Sequence, residues 1–262
     1  MINSFLRYIG QGTINKFQSF YEALAFSLLC FWRIPNPKNY NSATTMVLVK
    51  QIYFTAIQII PIFTFIGIVV GSALIASVVV FAIDFGIKDK IGIILAHLIM
   101  NEFAPFFTIL LITLRSSAAI VTEISVMKVS NELQTLESFN IDIINYLFLP
   151  RIISGIVSTV MLSFMLSLLM FFSGYFFLSI FLQMGFEIYL ETLIKALSLS
   201  NFLVLVIKSA FFGFFATMIP IYSGLKTSMA YNAIPISVLQ GMFKLFLALI
   251  FVEVIALILQ FI

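Results

Sequence analysis

The sequence predicts an all-α, polytopic membrane protein with about five transmembrane helices. Hydrophobic residues make up 62% of the 262 positions and charged residues only 10%, whereas soluble domains are about half apolar and about a quarter charged. Several apolar stretches also reach the roughly 20 residues that a helix needs to cross a bilayer. These observations argue against a soluble enzyme and predict a single membrane domain over residues 1–262.

The N-terminal part of the chain predicts a helix that lies in the membrane interface, at residues 12–32. Its apolar residues recur at helical spacing on one face: Ile14, Phe17, Tyr21, Leu24 and Leu28. The helix should end before residues 33–38, because Pro35 and Pro37 are incompatible with regular helix. The N-terminal residues do not show the basic segment, apolar segment and small-residue cleavage site of a secretory signal peptide, so we do not predict one.

Five apolar stretches are the predicted transmembrane helices: residues 51–83, 91–119, 152–182, 202–225 and 236–262. The first would be roughly 50 Å long as a straight helix, against an apolar bilayer core of about 30 Å, so it must tilt, kink or begin in the interface. Pro61 is the expected kink point. For residues 152–200 we predict one long span followed by an amphipathic stretch that carries Glu187, Glu191 and Lys195.

The basic residues predict a cytoplasmic N-terminus. With that orientation the inside segments contain eight of them: Arg7, Lys16, Arg33, Lys38, Lys50, Lys128, Arg151 and Lys226. The outside segments contain three: Lys88, Lys90 and Lys195. Because cytoplasmic segments carry the excess of lysine and arginine in membrane proteins, this distribution favours the N-in orientation.

Glu102 is the first candidate functional residue, because an ionised carboxylate inside a span is costly and should face protein or water. It either lines a substrate path or makes a structural hydrogen bond between helices, aided by Asn101. Pro105 frees backbone groups three residues later and can kink the helix. His97 lies one turn before Asn101, where a helix–helix hydrogen bond is the expected role.

Other charged residues lie towards the ends of the apolar stretches. Arg115 is roughly 20 Å along the helix from Glu102, near the expected cytoplasmic face, where it either binds lipid phosphate or extends to the interface. The small residues that follow it predict close packing of helices. For Lys208, Lys244 and Glu253 we expect side chains that extend to the membrane surface.

The polar stretch between the second and third spans predicts a cytoplasmic coupling helix at residues 130–142. Asn131 is predicted to cap its start, with Gln134 as the reciprocal partner. The stretch combines an apolar edge with acidic residues: Leu133, Leu136, Phe139, Glu132, Glu137 and Asp142. Surface helices that bind anionic lipid are usually basic, so these acidic charges favour a protein partner.

The sequence offers little for catalysis or metal binding. Cys30 is the only cysteine, which excludes disulfides within the chain and cysteine-based metal sites. His97 is the only histidine, which excludes the zincin motif because that motif needs two histidines. We therefore predict no catalytic residue and no metal site. A G-x-x-x-x-G-K loop is also missing, so any ATP must be bound by another chain and this one needs no cofactor of its own.

The region from Asn101 to Arg151 resembles the MlaE/YrbE-type ABC permeases, which are associated with MCE-domain proteins. The matching elements are, in order, Glu102-Phe103-Ala104-Pro105, Leu114 to Ala119, Glu123, Met127-Lys128, Leu133, Leu136-Glu137, Ile141-Asp142 and Pro150-Arg151. The chain departs from the family pattern at glycine positions, at a proline and at a basic residue, where it has Leu114, Ser117, Ser125, Ile143 and Asn101.

The resemblance implies the permease subunit of a transporter in the bacterial inner membrane that moves lipids, expected to be phospholipids, between the inner and outer membranes. It implies a homodimer, cytoplasmic ABC ATPase subunits that bind ATP, an MCE-domain partner and no nucleic acid. On this interpretation the ATPase-coupling residues are Glu132, Leu133, Leu136, Glu137 and Asp142. The residues of the substrate path or of helix packing are Glu102, Pro105 and Arg115.

Two other classes of function remain open at the level of sequence. An ion- or proton-coupled secondary transporter would use Glu102 and His97 as its ion site. An intramembrane enzyme is disfavoured by the lack of paired catalytic residues and metal ligands. Co-purification with an ATPase distinguishes the predicted permease from both.

Overall fold

The computed structural model describes residues 21–23, 25–34, 42–86, 91–182 and 186–261. Within these ranges the chain is helical apart from short turns, and no strand occurs there. Five helical stretches are long and apolar enough to cross a membrane, which confirms the predicted fold class. Of the predicted interfacial helix, residues 12–20 lie outside the described part, whereas residues 21–23 and 25–33 are helical.

The five candidate spans are numbered 1 to 5 in chain order: Thr44–Asp84, Ile91–Val129, Ile144–Ile180, Leu199–Leu225 and Tyr231–Gln260. Among the described residues, two short helices lie between spans. The helix Glu132–Ser138, named the connecting helix, follows span 2, and the helix Phe186–Ala196 follows span 3. Residues 152–200 therefore hold most of span 3 and a separate amphipathic helix, as predicted, with residues 183–185 between them outside the described part.

In the described part of the chain, short 3-10 and π-helical turns interrupt spans 1 and 2 and begin spans 3 and 5. Span 1 consists of Ser42–Thr55, a 3-10 turn Ile57–Ile59 and Ile60–Asp84, so the break directly precedes Pro61 as predicted. Span 2 consists of Ile91–His97, Ala104–Ile112 and Ala118–Val129, joined by the π-helical turns Leu98–Phe103 and Thr113–Ser117. Span 4 is the single α-helix Leu199–Leu225. Span 3 begins with the π-helical turn Ile144–Phe148 and continues as the α-helix Leu149–Leu182. Span 5 begins with the 3-10 turn Tyr231–Ala233 and continues as the α-helix Ile234–Phe261.

Span 3 lies at the centre of the bundle and packs against spans 1 and 4, while span 5 packs against spans 2 and 4. The most apolar window of span 5 is 11% buried and that of span 1 is 28% buried, against 50% for spans 2 and 3. Spans 1 and 5 therefore present most of their apolar surface outwards. The end of the bundle that carries the connecting helix is named the connecting-helix end, and the end that carries the helix Phe186–Ala196 is named the opposite end.

Spans 3 and 4 approach each other closely at a pair of glycines, Gly155 and Gly213. A Cβ atom added to Gly213 would lie 2.6 Å from the carbonyl oxygen of Gly155 and 2.8 Å from the Cα of Ile156. Since backbone atoms cannot move aside as a flexible side chain does, only glycine permits this separation. Small residues at helix contacts are the usual means of close packing in membranes.

A proline within span 4 explains one buried polar contact between spans. Pro220 has no N–H to donate to the carbonyl of Ala216, four residues earlier. Ser117 of span 2 is fully buried and its Oγ donates to that carbonyl at 2.7 Å. The run of small residues after Arg115 thus packs within this chain, where its serine replaces the missing backbone hydrogen bond.

The N-terminal helical residues are attached to the connecting-helix end by two ion pairs. Arg33 Nη1 contacts Asp142 Oδ2 at 2.7 Å, just after the connecting helix, and Lys226 Nζ contacts Glu22 Oε2 at 2.6 Å. The hydrogen bond that Lys226 donates to Glu22 is the main reason that the pKa of Lys226 is raised. Both pairs are partly exposed, so each is expected to position the helix more than to stabilise it.

We expect Cys30 to react slowly with alkylating reagents. Its side chain is fully buried among the residues that connect the N-terminal helix to spans 2, 3 and 4, and burial raises the pKa of its thiol to about 11. Because the thiolate is the reactive form, alkylation by iodoacetamide at pH 8 should be about 100-fold or more slower than in the unfolded chain. A mass-spectrometric time course measures this, and equal rates would contradict the buried position.

Candidate functional site

Pro105 determines the chemistry of the middle of span 2. It cannot donate a hydrogen bond to the carbonyl of Asn101, and the helix widens into a π-helical turn at this point. The ammonium group of Lys208, from span 4, donates to that carbonyl at 2.8 Å. The proline predicted to disturb the helix therefore creates a buried acceptor, and a lysine from another span occupies it.

Lys208 also binds two carboxylates from two further positions in the bundle. Its Nζ lies 2.7 Å from Glu102 Oε2 of span 2 and 2.9 Å from Glu253 Oε1 of span 5. The lysine side chain is 2% exposed and each glutamate side chain is 17% exposed. These three residues, named the charged triad, join spans 2, 4 and 5. The expectation that Lys208 and Glu253 extend separately to the membrane surface was wrong, because buried charges are stabilised far better by pairing.

The charged triad retains unused hydrogen-bonding capacity. In the described part of the chain, Glu102 Oε1 and Glu253 Oε2 are buried, and neither oxygen has a hydrogen-bond partner within normal distance. Buried polar atoms are normally paired, so unpaired ones mark a place where a ligand or water is expected. Two carboxylates share one ammonium group, which leaves the triad with a formal charge of −1 when all three groups are ionised.

The triad lies inside the layer that the spans would cross. Counting at 1.5 Å per residue from the opposite end of each span, Glu102 is about 17 Å from Ile91 and Lys208 about 14 Å from Leu199. Glu253 is about 12 Å from Phe261 on the same basis. These similar depths are the signal in the sequence by which the three residues could have been grouped.

His97 lies beside the triad and outside it. Asn101 Nδ2 donates to His97 Nδ1 at 2.9 Å within span 2 and also lies 3.4 Å from Asn201 Oδ1 of span 4. His97 is otherwise exposed. Its contact with Asn101 lies within one helix, whereas a hydrogen bond between two helices was expected. Glu102 pairs with Lys208 instead, and among the described residues no hydrogen bond or ion pair joins Glu102 to His97.

The connecting helix is shorter than predicted and is not capped as predicted. It spans Glu132–Ser138, and Asn131 precedes it in a left-handed conformation (φ 62°) without a side-chain cap. Asparagine tolerates this conformation well, so it makes the turn out of span 2. At the start of the helix the hydroxyl of Ser130 donates to Glu132 Oε1 at 3.0 Å, in place of the predicted capping contact between Asn131 and Gln134.

The apolar and acidic residues of the connecting helix face different surroundings. Leu133 is 8% exposed and packs with Leu136 into the chain's own core. Glu132, Glu137 and Phe139 are exposed. The two leucines therefore hold the helix in place, and the exposed surface available to a partner is acidic with one aromatic ring. Asp142 lies beyond the helix, where it pairs with Arg33 and caps the next turn by accepting from the N–H of Ile144.

Arg115 and Arg151 lie towards the connecting-helix end. Arg115 is exposed, and its Nη2 donates to Gln58 Oε1 of span 1 at 2.6 Å. Arg151 is 2% exposed and pairs with Glu123 of span 2, while its Nε and Nη1 have no partner in the described part of the chain. We did not expect the Arg151–Glu123 pair from the sequence, although both residues belong to the matching motif.

Comparison with known proteins identifies the family. The model of the family described as permease MlaE matches residues 48–259. An intermembrane phospholipid transport system permease protein MlaE of Haemophilus influenzae is 30% identical over 112 residues, which cover 43% of this chain and 43% of that protein. The chain thus spans less than half the length of this relative in the alignment.

Two longer matches cover most of the chain. A probable ABC transporter permease protein of Rickettsia typhi is 25% identical over 225 residues, 86% of this chain and 85% of that protein. A probable ABC transporter permease protein of Rickettsia bellii is 25% identical over 216 residues, 82% of each. Together with the family match over four fifths of the sequence and the five candidate spans, these similarities show that the chain belongs to the MlaE family of ABC transporter permeases.

Proposed function

We propose that this permease moves phospholipids between the inner and outer membranes of a bacterium, driven by a separate ATPase. The relative from Haemophilus influenzae is a permease of an intermembrane phospholipid transport system, which supports this cargo. The charged triad is the observation in this chain that carries the proposal. It provides free carboxylate oxygens inside an otherwise apolar layer, where a polar lipid headgroup would need hydrogen-bonding partners to pass.

The proposed location is the inner membrane, with the N-terminus in the cytoplasm. The excess of lysine and arginine in the segments at the connecting-helix end supports this orientation. The connecting helix then lies in the cytoplasm, and the charged triad lies nearer the periplasmic face. A headgroup bound at the triad would be positioned for release towards the periplasm.

The proposed assembly is a homodimer with cytoplasmic ABC ATPases and a periplasmic MCE-domain partner. The exposed apolar surfaces of spans 1 and 5 support contact with a second copy. If span 5 lies at this contact, the charged triad, which includes Glu253 of span 5, lies close to a cavity between the two copies. The connecting helix supports contact with the ATPase, since it is held from inside by Leu133 and presents acidic residues outwards. ATP binding by the ATPase would then change the cavity through this helix.

The function is tested by reconstituting the purified permease with its ATPase in vesicles that contain a fluorescent phospholipid. We expect transfer of the lipid to acceptor vesicles, or to the MCE-domain partner, that depends on ATP. Transfer that continues without the ATPase but stops when a proton gradient is removed would instead indicate a secondary transporter.

Replacing Glu137 by lysine should weaken binding of the ATPase. The side chain is exposed on the connecting helix, so the change reverses one charge at the proposed contact without disturbing the core. We expect about tenfold or greater loss of co-purified ATPase, as for charge reversal at a protein interface. Glu187→Lys is the matched control, because Glu187 is equally exposed on the helix at the opposite end.

Asp142→Lys gives a less specific result, because Asp142 also pairs with Arg33. Its assignment to coupling is therefore better tested after Glu137→Lys has been measured. Intact co-purification and normal transport with Glu137→Lys would show that the acidic surface of the connecting helix does not bind the ATPase.

A further inference from the structure

A cavity of about 520 Å³ lies between spans 1 and 2 at the connecting-helix end. Its Arg115 is roughly 20 Å along span 2 from Glu102 of the charged triad. Span 1 contributes Lys50, Phe54 and Gln58 to its lining, and span 2 contributes Arg115, Ser116 and Glu123. Polar and charged groups thus share the cavity with an aromatic side chain. The proposed function assigns no ligand to this place.

The positions of these residues along antiparallel helices define the depth of the cavity. Arg115 and Gln58 face each other, since the arginine donates to the glutamine at 2.6 Å. Lys50 and Glu123 each lie eight residues away from that pair, about 12 Å towards the connecting-helix end. Arg115 is therefore at the deep end of the cavity, and Lys50 and Glu123 lie at its mouth.

The cavity carries two positive charges that no carboxylate neutralises in the described part of the chain. Glu123 pairs with Arg151, which lies behind the cavity in span 3 and is 2% exposed. Neither Lys50 nor Arg115 forms an ion pair among the described residues, although Arg115 donates to Gln58. The free N–H groups of a guanidinium suit phosphate oxygens, which they bind through two parallel hydrogen bonds.

The depth of Arg115 in the membrane favours a lipid as the source of the phosphate. It lies 24 residues, or about 36 Å of helix, from the opposite end of span 2, against an apolar core of about 30 Å. The guanidinium is thus at the level of the lipid headgroups of the nearer leaflet. Phe54 supplies an apolar wall for the glycerol and upper acyl carbons.

We propose that this cavity binds the headgroup of an anionic phospholipid from the leaflet at the connecting-helix end, with its phosphate on Arg115 at the deep end and the outer end of the headgroup against Lys50 at the mouth. A headgroup without an amine is expected, because the two cations leave no unpaired acidic group for an ammonium ion. The site would hold spans 1 and 2 together with a lipid at one edge. The inference requires only that the chain spans a membrane, so failure of ATP-driven transport would leave it standing.

The test is lipid binding by the purified, full-length chain in detergent, measured by native mass spectrometry. The chain is titrated separately with phosphatidylglycerol, phosphatidylcholine and inorganic phosphate. We expect phosphatidylglycerol to bind at least about tenfold more tightly than phosphatidylcholine, since each cation near the headgroup adds to the affinity. Inorganic phosphate should neither bind at the same concentrations nor displace the lipid.

Three substitutions locate the site. Arg115→Gln should weaken phosphatidylglycerol binding by about 5- to 50-fold and Lys50→Gln by about fivefold, as expected for a bidentate and a single charged contact. Lys244→Gln is the matched control, because it removes one positive charge from an exposed position in span 5 that does not line the cavity. Its binding should equal that of the unchanged chain.

A fourth variant keeps the result decisive if Arg115→Gln fails to fold. Ala119 lines the cavity, and Ala119→Phe would fill it while keeping every charge. We expect this variant also to lose its preference for phosphatidylglycerol. Retained preference in both Arg115→Gln and Ala119→Phe would overturn the site, and inorganic phosphate that binds as tightly as the lipid would overturn its assignment to a lipid.

Discussion

Replacing Lys208 by methionine is expected to abolish phospholipid transport and to destabilise the protein by about 3–5 kcal/mol, the usual cost of removing one partner from a buried ion pair. The lysine side chain is 2% exposed and is shared by Glu102 and Glu253. Without it, two carboxylates would face each other in an apolar layer, and the carbonyl of Asn101 would lose its donor. Thermal unfolding in detergent and ATP-dependent lipid transfer measure the two effects.

Two controls separate the structural from the functional part of this effect. Lys244→Met removes a lysine from an apolar span where the side chain is exposed, so it should change neither stability nor transport appreciably. A triple variant of Lys208→Met, Glu102→Gln and Glu253→Gln removes all three charges and should regain much of the lost stability. If it also regains transport, the triad serves packing alone, and if Lys208→Met transports normally, the triad has no role in the path.

Replacing Gly213 by alanine is expected to be nearly as damaging to stability, at about 3 kcal/mol, the upper range for an extra methyl group in a packed core. The added Cβ would lie 2.6 Å from the carbonyl oxygen of Gly155 and 2.8 Å from the Cα of Ile156. Spans 3 and 4 would have to separate, which would also move Lys208 on span 4. The unfolding midpoint and the monodisperse fraction after size-exclusion chromatography report the loss.

Gly174→Ala is the matched control for this substitution. The three atoms nearest to a Cβ added at Gly174 are all side-chain atoms of Ile75, and the closest of them, Cδ1, would lie 2.0 Å away. The closest of these atoms is the far end of a side chain, which moves more easily than backbone, so we expect a smaller loss of about 1 kcal/mol, the lower end of the range for overpacking. A Gly213→Ala variant that is as stable as the Gly174→Ala variant would contradict the close contact between spans 3 and 4.

The prolines and the lengths of the apolar stretches made much of the fold predictable from the sequence. Pro61 directly follows a break in span 1, and Pro105 follows the π-helical turn in span 2. These effects are local, because a proline removes a hydrogen bond within four residues of itself. The start of the connecting helix was predicted less well, since the left-handed turn at Asn131 depends on where Leu133 packs.

The candidate site was predictable only in part. Glu102 was identified from the cost of a carboxylate in an apolar span, and its partner was not, because Lys208 is 106 residues away. The carbonyl freed by Pro220 could be predicted from the sequence, but its donor Ser117 could not, since it belongs to a different span. The same holds for Arg151 and Glu123, which are 28 residues apart and meet only when span 3 packs beside span 2.

The sequence by itself determined that this chain has five apolar helices long enough to cross a membrane, that spans 1 and 2 are disturbed near Pro61 and Pro105, and which motif places it beside the MlaE permeases. The length of an apolar stretch and the effect of a proline depend only on residues that are close in the sequence, so both can be predicted from it. Only the tertiary structure decided that one lysine serves two glutamates and a freed carbonyl. That arrangement depends on how spans 2, 4 and 5 are rotated against one another, and the packing of the whole bundle sets those rotations.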